Sequence, residues 1–147
     1  MRYFITLSYN GKNYHGWQIQ PNGSSVQETL EKALSTMLRC PISIVGAGRT
    51  DAGVHAKKMI AHFDTDVALN NLELPRRLNC FLPTDIAIQK IEPVANHLHA
   101  RFSATKRSYE YHLVTEKDVF RTETAFFHPG TLDFDAMNQA AAQLFNY

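Results

Sequence analysis

Arg49, Asp51 and His55 fall within seven positions of one another in the run Gly46-Ala47-Gly48-Arg49-Thr50-Asp51-Ala52-Gly53-Val54-His55-Ala56, which also holds three glycines, three alanines, a threonine and a valine. A cation, a carboxylate and an imidazole this close together on small residues could make a reactive or ligand-holding loop. Small residues let backbone approach backbone or ligand, and glycine takes positive φ at little cost. The apolar run Ile42-Ser43-Ile44-Val45 leads in, and Met59-Ile60-Ala61-His62-Phe63 leads out. The pattern is strand, tight loop, strand, a place where a rigid scaffold can fix a charged pair. Asp and Gly are also ordinary turn residues, so a purely structural turn, capped by Asp51 with Arg49 solvated, fits the same letters. A hydrolase built on Asp51 and a histidine is a weaker reading, because no second carboxylate stands at a suitable spacing.

The loop lies in the basic part of a nearly neutral chain. Net charge is +1, yet residues 1–60 hold seven Lys/Arg against three Asp/Glu, and residues 61–147 hold eight against eleven. Lys57 and Lys58 follow the loop directly. A local basic face can attract phosphate even when the whole chain is close to neutral.

Other chemistries find less support. Cys40 and Cys80 lack a metal-type CxxC spacing and are expected as free thiols. His97-Leu98-His99 is the one close histidine pair, and no Cys, Asp or Glu cluster joins it at ligand spacing, so no metal is expected. No phosphate-cradling Gly-rich signature occurs. At 147 residues, with 44% hydrophobic and 20% charged positions, the chain reads as a soluble globular protein. It has neither an apolar run of membrane-spanning length nor a signal-peptide pattern, which predicts a cytoplasmic location.

The elements that must position the loop follow from periodicity. Tyr3, Ile5, Leu7 and Tyr9 alternate with Phe4, Thr6 and Ser8, predicting a strand over residues 2–9, then a turn at Asn10-Gly11-Lys12-Asn13. Ser25-Val26-Gln27-Glu28 is a capping box, and Val26, Leu30, Ala33, Leu34, Met37 and Leu38 recur as one helical stripe that Pro41 stops. Strands are expected at about 42–46 and 57–64. A weaker helix spans Asn70 to Phe81, with Pro75 as its first helical residue, and a strand runs from Asp85 to Ile91. The order β-α-β-β-α-β predicts an α+β fold, a ferredoxin-like (split βαβ) antiparallel sheet with helices on one face and the other face free for a second layer or a ligand. A fifth strand is expected where Tyr109, Tyr111 and Leu113 alternate with Glu110 and His112, and a short one at residues 124–128. Phe134, Met137, Ala140, Ala141, Leu144 and Phe145 then form an amphipathic helix whose stripe needs a partner. The expected division is a ferredoxin-like domain over residues 1–96 and, over 97–147, a linker with the first strands and helix of a second, similar domain. That makes the chain an N-terminal piece of a longer protein. Trp17, the single tryptophan, fits a core packer and a nucleic-acid contact equally well.

Read together, these segments resemble the tRNA pseudouridine synthase A family. The resemblance rests on Tyr9-Asn10-Gly11 with Tyr14, Gly16-Trp17-Gln18 and Gln20, and on Ser25 to Glu28 with Leu30 to Leu34. Ala47 to Ala56 matches the family's catalytic loop almost letter for letter. Leu78-Asn79, Leu82-Pro83, Asp85-Ile86, His99-Ala100-Arg101-Phe102-Ser103-Ala104, Arg107, Tyr109 and Tyr111 complete it.

The resemblance implies isomerisation of uridine to pseudouridine in the tRNA anticodon stem-loop, at positions 38 to 40, without a cofactor. It makes Asp51 the catalytic carboxylate and Tyr109 the ring that stacks on the target uracil. It has Arg49 help displace the base from the stem. His55 is left between a phosphate contact and a brace of the loop, and Lys57, Lys58, Arg101, Lys106 and Arg107 are candidate phosphate contacts. It also implies a homodimer that shares tRNA, and a second domain beyond Tyr147 that closes the cleft. The competing reading is a non-catalytic RNA-binding module with an RRM-like sheet. Against it stand the lack of an RNP-type aromatic run and a carboxylate that would repel phosphate if idle.

Overall fold

The computed structural model describes residues 1–146. They divide into two compact units, Met1–Arg107 and the residues from Ser108 onward. The first unit runs β1 (Arg2–Tyr9), α1 (Val26–Leu38), β2 (Ile44–Gly46), β3 (Ala56–Asp64), α2 (Glu73–Phe81) and β4 (Ile86–Val94). The sheet order is β2-β3-β1-β4, with every neighbouring pair antiparallel. β3 lies between β1 and β2, so α1 crosses over a strand that is made later. This is the ferredoxin-like α+β arrangement expected from the element order.

Alternation along β1 buries Tyr3, Ile5, Leu7 and Tyr9 against the helices, beside Met59, Ala61 and Phe63 of β3. Tyr3 and Phe63 stack with centroids 5.7 Å apart. On β4 the apolar positions Ile86, Ile88 and Ile91 break period two, and a bulge restores it. The register shifts by one residue between Thr6 and Leu7, so Ile91 faces Ile5 while Ile88 faces Leu7. A second bulge falls on β3 between the Leu7–Met59 and Tyr9–Ala56 pairs. It contains Lys57 and Lys58, both exposed.

α1 starts as its capping box predicts, with Ser25 Oγ accepting from the Glu28 N–H at 3.2 Å. The Glu28 carboxylate turns to Lys32 Nζ, 2.6 Å away. Val26, Leu30, Ala33 and Leu34 are buried, and Met37 and Leu38 pack at the margin of the core. α2 begins at Glu73, two residues ahead of Pro75. Asn70 Oδ1 accepts from the N–H groups of Leu72 and Glu73, both at 3.1 Å, and so caps the helix from upstream. Pro75 is tolerated inside the first turn because its missing N–H would have had no intrahelical acceptor there.

Side chains from the helices take the backbone groups of one residue on each outer strand. The Ile44 N–H donates to Glu31 Oε1 at 2.8 Å, and the Ile44 carbonyl accepts from Gln27 Nε2 at 3.1 Å. On β4, Asn79 Oδ1 accepts from the Ile88 N–H at 2.6 Å, and Asn79 Nδ2 donates to the Ile88 carbonyl at 2.8 Å.

The sheet face away from the helices carries a further segment. A strap over residues 97–107 crosses it. Arg2, in a bidentate pair with Asp64, donates through Nη1 to the Leu98 carbonyl at 2.9 Å. The Ala100 N–H donates to Nδ1 of buried His62 at 3.2 Å. His99 packs on His62 edge-on at 4.5 Å, and Phe102 lies 4.4 Å beyond His99.

Burial pushes the His62 pKa down, and the positive charge of Arg2 and the His99 ring add to that, while Asp64 opposes it. A histidine held neutral when folded binds fewer protons than it does unfolded. Its contribution to stability is therefore lost as pH falls below the unfolded value of about 6.5, and levels off below the folded pKa. Protonation would also put a hydrogen on the nitrogen that accepts from Ala100. In chemical denaturation of the full-length protein, His62→Gln should flatten the decline in stability between pH 7 and pH 5. An unchanged slope would mean that other groups carry it.

The second unit holds β5 (Leu113–Val114) and β6 (Phe126–Phe127), paired in parallel, and α3 (Phe134–Ala142), which passes into a 3-10 turn at Gln143–Asn146. Asp133 caps α3 by accepting from the Ala136 N–H at 2.9 Å. The strand expected around Tyr109 and Tyr111 is present only at Leu113–Val114. A strand persists where its backbone groups have a ladder partner, and among the described residues the ladder extends only to Phe126–Phe127. Phe134, Met137, Leu144 and Phe145 are exposed, so the expected apolar stripe lies on the surface. Cys40 and Cys80 form no disulfide. No helix among the described residues is long and apolar enough to cross a membrane.

Candidate active site

The loop from Ala47 to His55 joins two antiparallel neighbours, β2 and β3, at the end of the sheet where Tyr9 leaves β1. It has little regular structure of its own and is held by the segment that follows β1. The Trp17 N–H donates to the Thr50 carbonyl at 3.0 Å, and the Gly53 N–H donates to the Tyr14 carbonyl at 3.3 Å. The Gly11 N–H donates to His55 Nδ1 at 3.0 Å. The Tyr9 and Thr50 hydroxyls are 2.8 Å apart. These contacts join residues some 33 to 44 positions apart, and they fix the backbone on either side of Asp51.

Two glycines permit the approach. A Cβ on Gly11 would lie 2.0 Å from the Val54 carbonyl oxygen, and one on Gly16 would lie 2.2 Å from that of Thr50, with Gly16 already at φ +84°. Trp17 is buried beneath the start of the loop. A Cβ on Gly46 would lie 2.5 Å from its ring, and the Tyr9 ring stands 6.1 Å away. Of the two readings of Trp17, the structure supports the core packer.

The bracing segment is itself anchored on Asp85. That carboxylate accepts from the Tyr14 hydroxyl at 2.7 Å and from Asn13 Nδ2 at 3.2 Å, while the Asp85 carbonyl accepts from the Asn10 N–H at 2.8 Å. Burial, then the hydrogen bond to Asp85, push the Tyr14 phenol far above its ordinary range, so it stays a donor. Burial also raises the Tyr9 phenol, against the bond to Thr50. The family-like letters Tyr9, Gly11, Tyr14, Gly16 and Asp85 thus act on the loop from behind. No local signal gives these partners, because each bond spans dozens of residues.

The structure brings Arg49, Asp51 and His55 together on this loop, all exposed. Arg49 and Asp51 form no ion pair with each other among the described residues. His55 Nδ1 is used as an acceptor within the loop's own support. Lys57 and Lys58 lie at the bulge on the outgoing strand. Arg101, Lys106 and Arg107 lie on the strap, with Arg101 5.9 Å over the Phe102 ring. Arg107 reaches the loop: its Nε and Nη2 donate to the Ala47 carbonyl at 3.1 and 2.7 Å. Tyr109 belongs to the second unit and is 78% exposed. Surface hollows of about 370 and 450 Å³ are lined by residues of the second unit and by Cys40 to Val67, not by the loop. Asp51 lines neither hollow and is itself exposed. Among the described residues no three His, Cys, Asp or Glu side chains converge as metal ligands.

A braced, exposed carboxylate with cations on its own loop and on the adjoining strap can act on a substrate that brings its own negative charge. A family described as tRNA pseudouridine synthase matches residues 5–103. The chain is 56% identical over 147 residues to tRNA pseudouridine synthase A of Parabacteroides distasonis, covering 99% of this chain and 58% of that protein. It is 53% identical over 146 residues to the protein of that name from Bacteroides thetaiotaomicron, covering 99% and 54%. With the Bacillus subtilis protein of the same name the identity is 41% over 148 residues, covering 98% and 60%. The chain spans a little over half the length of the curated relatives it matches.

Proposed function

Because the chain belongs to the tRNA pseudouridine synthase family, we propose that the full-length protein isomerises uridine to pseudouridine in tRNA, with Asp51 as the catalytic carboxylate. The observation that carries this reading is the Ala47–Ala56 loop, whose letters resemble the family's catalytic loop and whose backbone is clamped on both sides of an exposed Asp51. The proposed targets are uridines of the anticodon stem-loop at positions 38 to 40, and the proposed working form is a homodimer.

The reaction breaks the C1′–N1 bond of uridine, turns the uracil and forms a C1′–C5 bond. C5 loses a proton and N1 gains one, so atoms balance without an oxidant or an energy source. An ionised carboxylate can stabilise or trap the positive charge that develops at C1′, or attack the base ring. A uridine in a stem must first leave the stack, at a cost of a few kcal/mol. Arg49, beside Asp51, is the cation proposed to enter the gap. Lys57, Lys58, Arg101 and the His55 edge are proposed to meet phosphates, and Tyr109 to stack on the detached uracil. A planar ring holds a turning base without bonding it.

The direct test is release of tritium from tRNA labelled at uridine C5, using the full-length protein. Release with accumulating pseudouridine supports the reading. Tight tRNA binding without release would favour the non-catalytic RNA-binding module. Tyr109→Leu should lower turnover by about 10- to 100-fold, on the scale of one lost base stack of about 1–3 kcal/mol. Its melting temperature should barely move, because the ring is exposed. A large drop in melting temperature with normal turnover would make Tyr109 a packing residue instead.

A further inference from the structure

Besides its contacts with the segment that follows β1, the loop that carries Asp51 is held from the strap. Strand pairing on β2 ends at Gly46, opposite Ala61, and the Ala47 N–H closes the ladder on the Ile60 carbonyl at 2.7 Å. The Ala47 carbonyl is the first backbone acceptor beyond that ladder. The Arg107 guanidinium takes it with two donors, Nε at 3.1 Å and Nη2 at 2.7 Å, and Nη2 also donates to the Arg101 carbonyl at 2.7 Å. Its plane lies against Gly48, where an added Cβ would sit 3.5 Å from Nε. Three residues further on, Thr50 is gripped by Trp17 and Tyr9. Arg49 lies between the two anchors and Asp51 directly after the second.

We propose that Arg107 is a positioning residue for Asp51: its fork continues the β2 ladder by one carbonyl and locks the catalytic loop to the strap. The inference rests on the isomerase reading for its consequence in turnover. It assigns Arg107 a task different from that of a phosphate contact, since three of its donor contacts are already made to main-chain carbonyls. Lysine cannot substitute. It offers a point charge on a flexible stem, not a planar fork able to bridge the carbonyls of Ala47 and Arg101.

The test compares Arg107→Lys and Arg107→Gln with wild type in the full-length protein. Three quantities are measured: turnover of unmodified tRNA, tRNA affinity over a salt series, and amide hydrogen exchange at residues 48–51. A positioning role predicts that kcat falls about 10- to 100-fold in both variants. KM should stay within about threefold of wild type for Arg107→Lys, with an unchanged salt slope. Exchange at residues 48–51 should rise in both. A plain phosphate contact predicts the reverse. Arg107→Lys would then be close to wild type, and Arg107→Gln would lose affinity with the salt slope reduced by about 0.7 to 0.9. That result, or unchanged exchange, overturns the proposal. Wild-type protein that binds tRNA but makes no pseudouridine would sink the isomerase reading, while the exchange measurement still decides what Arg107 does.

Discussion

Asp51→Asn in the full-length protein should reduce pseudouridine formation by on the order of a thousandfold or more while tRNA binding persists. The substitution keeps shape and removes charge and nucleophilicity. Asp51 is exposed and makes no ion pair with Arg49, so among the described residues no buried partner is orphaned by the change. Stability should move by no more than about 0.5 kcal/mol, as at ordinary surface positions. Binding should hold or improve slightly, because one negative charge leaves a site proposed to face phosphate. The measurements are tritium release under single-turnover conditions and filter binding of the same tRNA. Turnover above a tenth of wild type would remove Asp51 from the chemistry.

Gly16→Ala should be the most damaging change outside the chemistry itself. Gly16 has φ +84°, which costs an L-residue about 1–2 kcal/mol. The new Cβ would sit 2.2 Å from the Thr50 carbonyl oxygen, a backbone atom that can move only if the loop moves. Overpacking of this kind adds about 1–3 kcal/mol, so a total loss of about 2–5 kcal/mol is expected in denaturant unfolding. Whatever protein stays folded should carry a displaced Asp51, and a shift near 1 Å can lower turnover about a hundredfold. Gly53→Ala is the internal comparison. Gly53 has a similar φ of +80°, but nothing lies within 4 Å of its added Cβ. It should cost about 1–2 kcal/mol and leave turnover within a few-fold of wild type. Equal effects of the two substitutions would mean that strain matters and contact with the loop does not.

Local patterns carried most of the fold. The alternation of Tyr3, Ile5, Leu7 and Tyr9, the Ser25 cap and the stripe from Val26 to Leu38 each reflect burial on one face, which period alone reveals. The order of six elements then limits the sheet to few topologies. What stayed hidden depends on partners distant in sequence. The spacing of Ile86, Ile88 and Ile91 looks like an error of alternation until a bulge in the pairing with β1 absorbs it. The Asn70 cap was masked by Pro75, a stronger helix-start signal. Tyr109 and Tyr111 alternate as a strand does, but alternation cannot supply a ladder partner. For the site, residue types marked Arg49, Asp51 and His55 as one loop. They did not mark Asp85, whose hold on Tyr14 spans 71 positions, or the direction in which Arg107 points, 60 positions from Ala47. An arginine near a catalytic loop reads as a phosphate ligand until its donors are followed to the carbonyls they meet.

Gln27, Glu31 and Asn79 have a consequence for how the protein meets others of its kind. An outer strand normally offers unpaired N–H and C=O groups that a further strand can adopt, the route to runaway association. Here the helices place an amide or a carboxylate on both groups of Ile44 at one border and of Ile88 at the other. A foreign strand would have to displace these bonds before it could pair, and it would leave polar side chains stranded if it did. At Ile44 and Ile88 the fold thus supplies from its own helices the hydrogen bonds that a neighbouring strand would otherwise make.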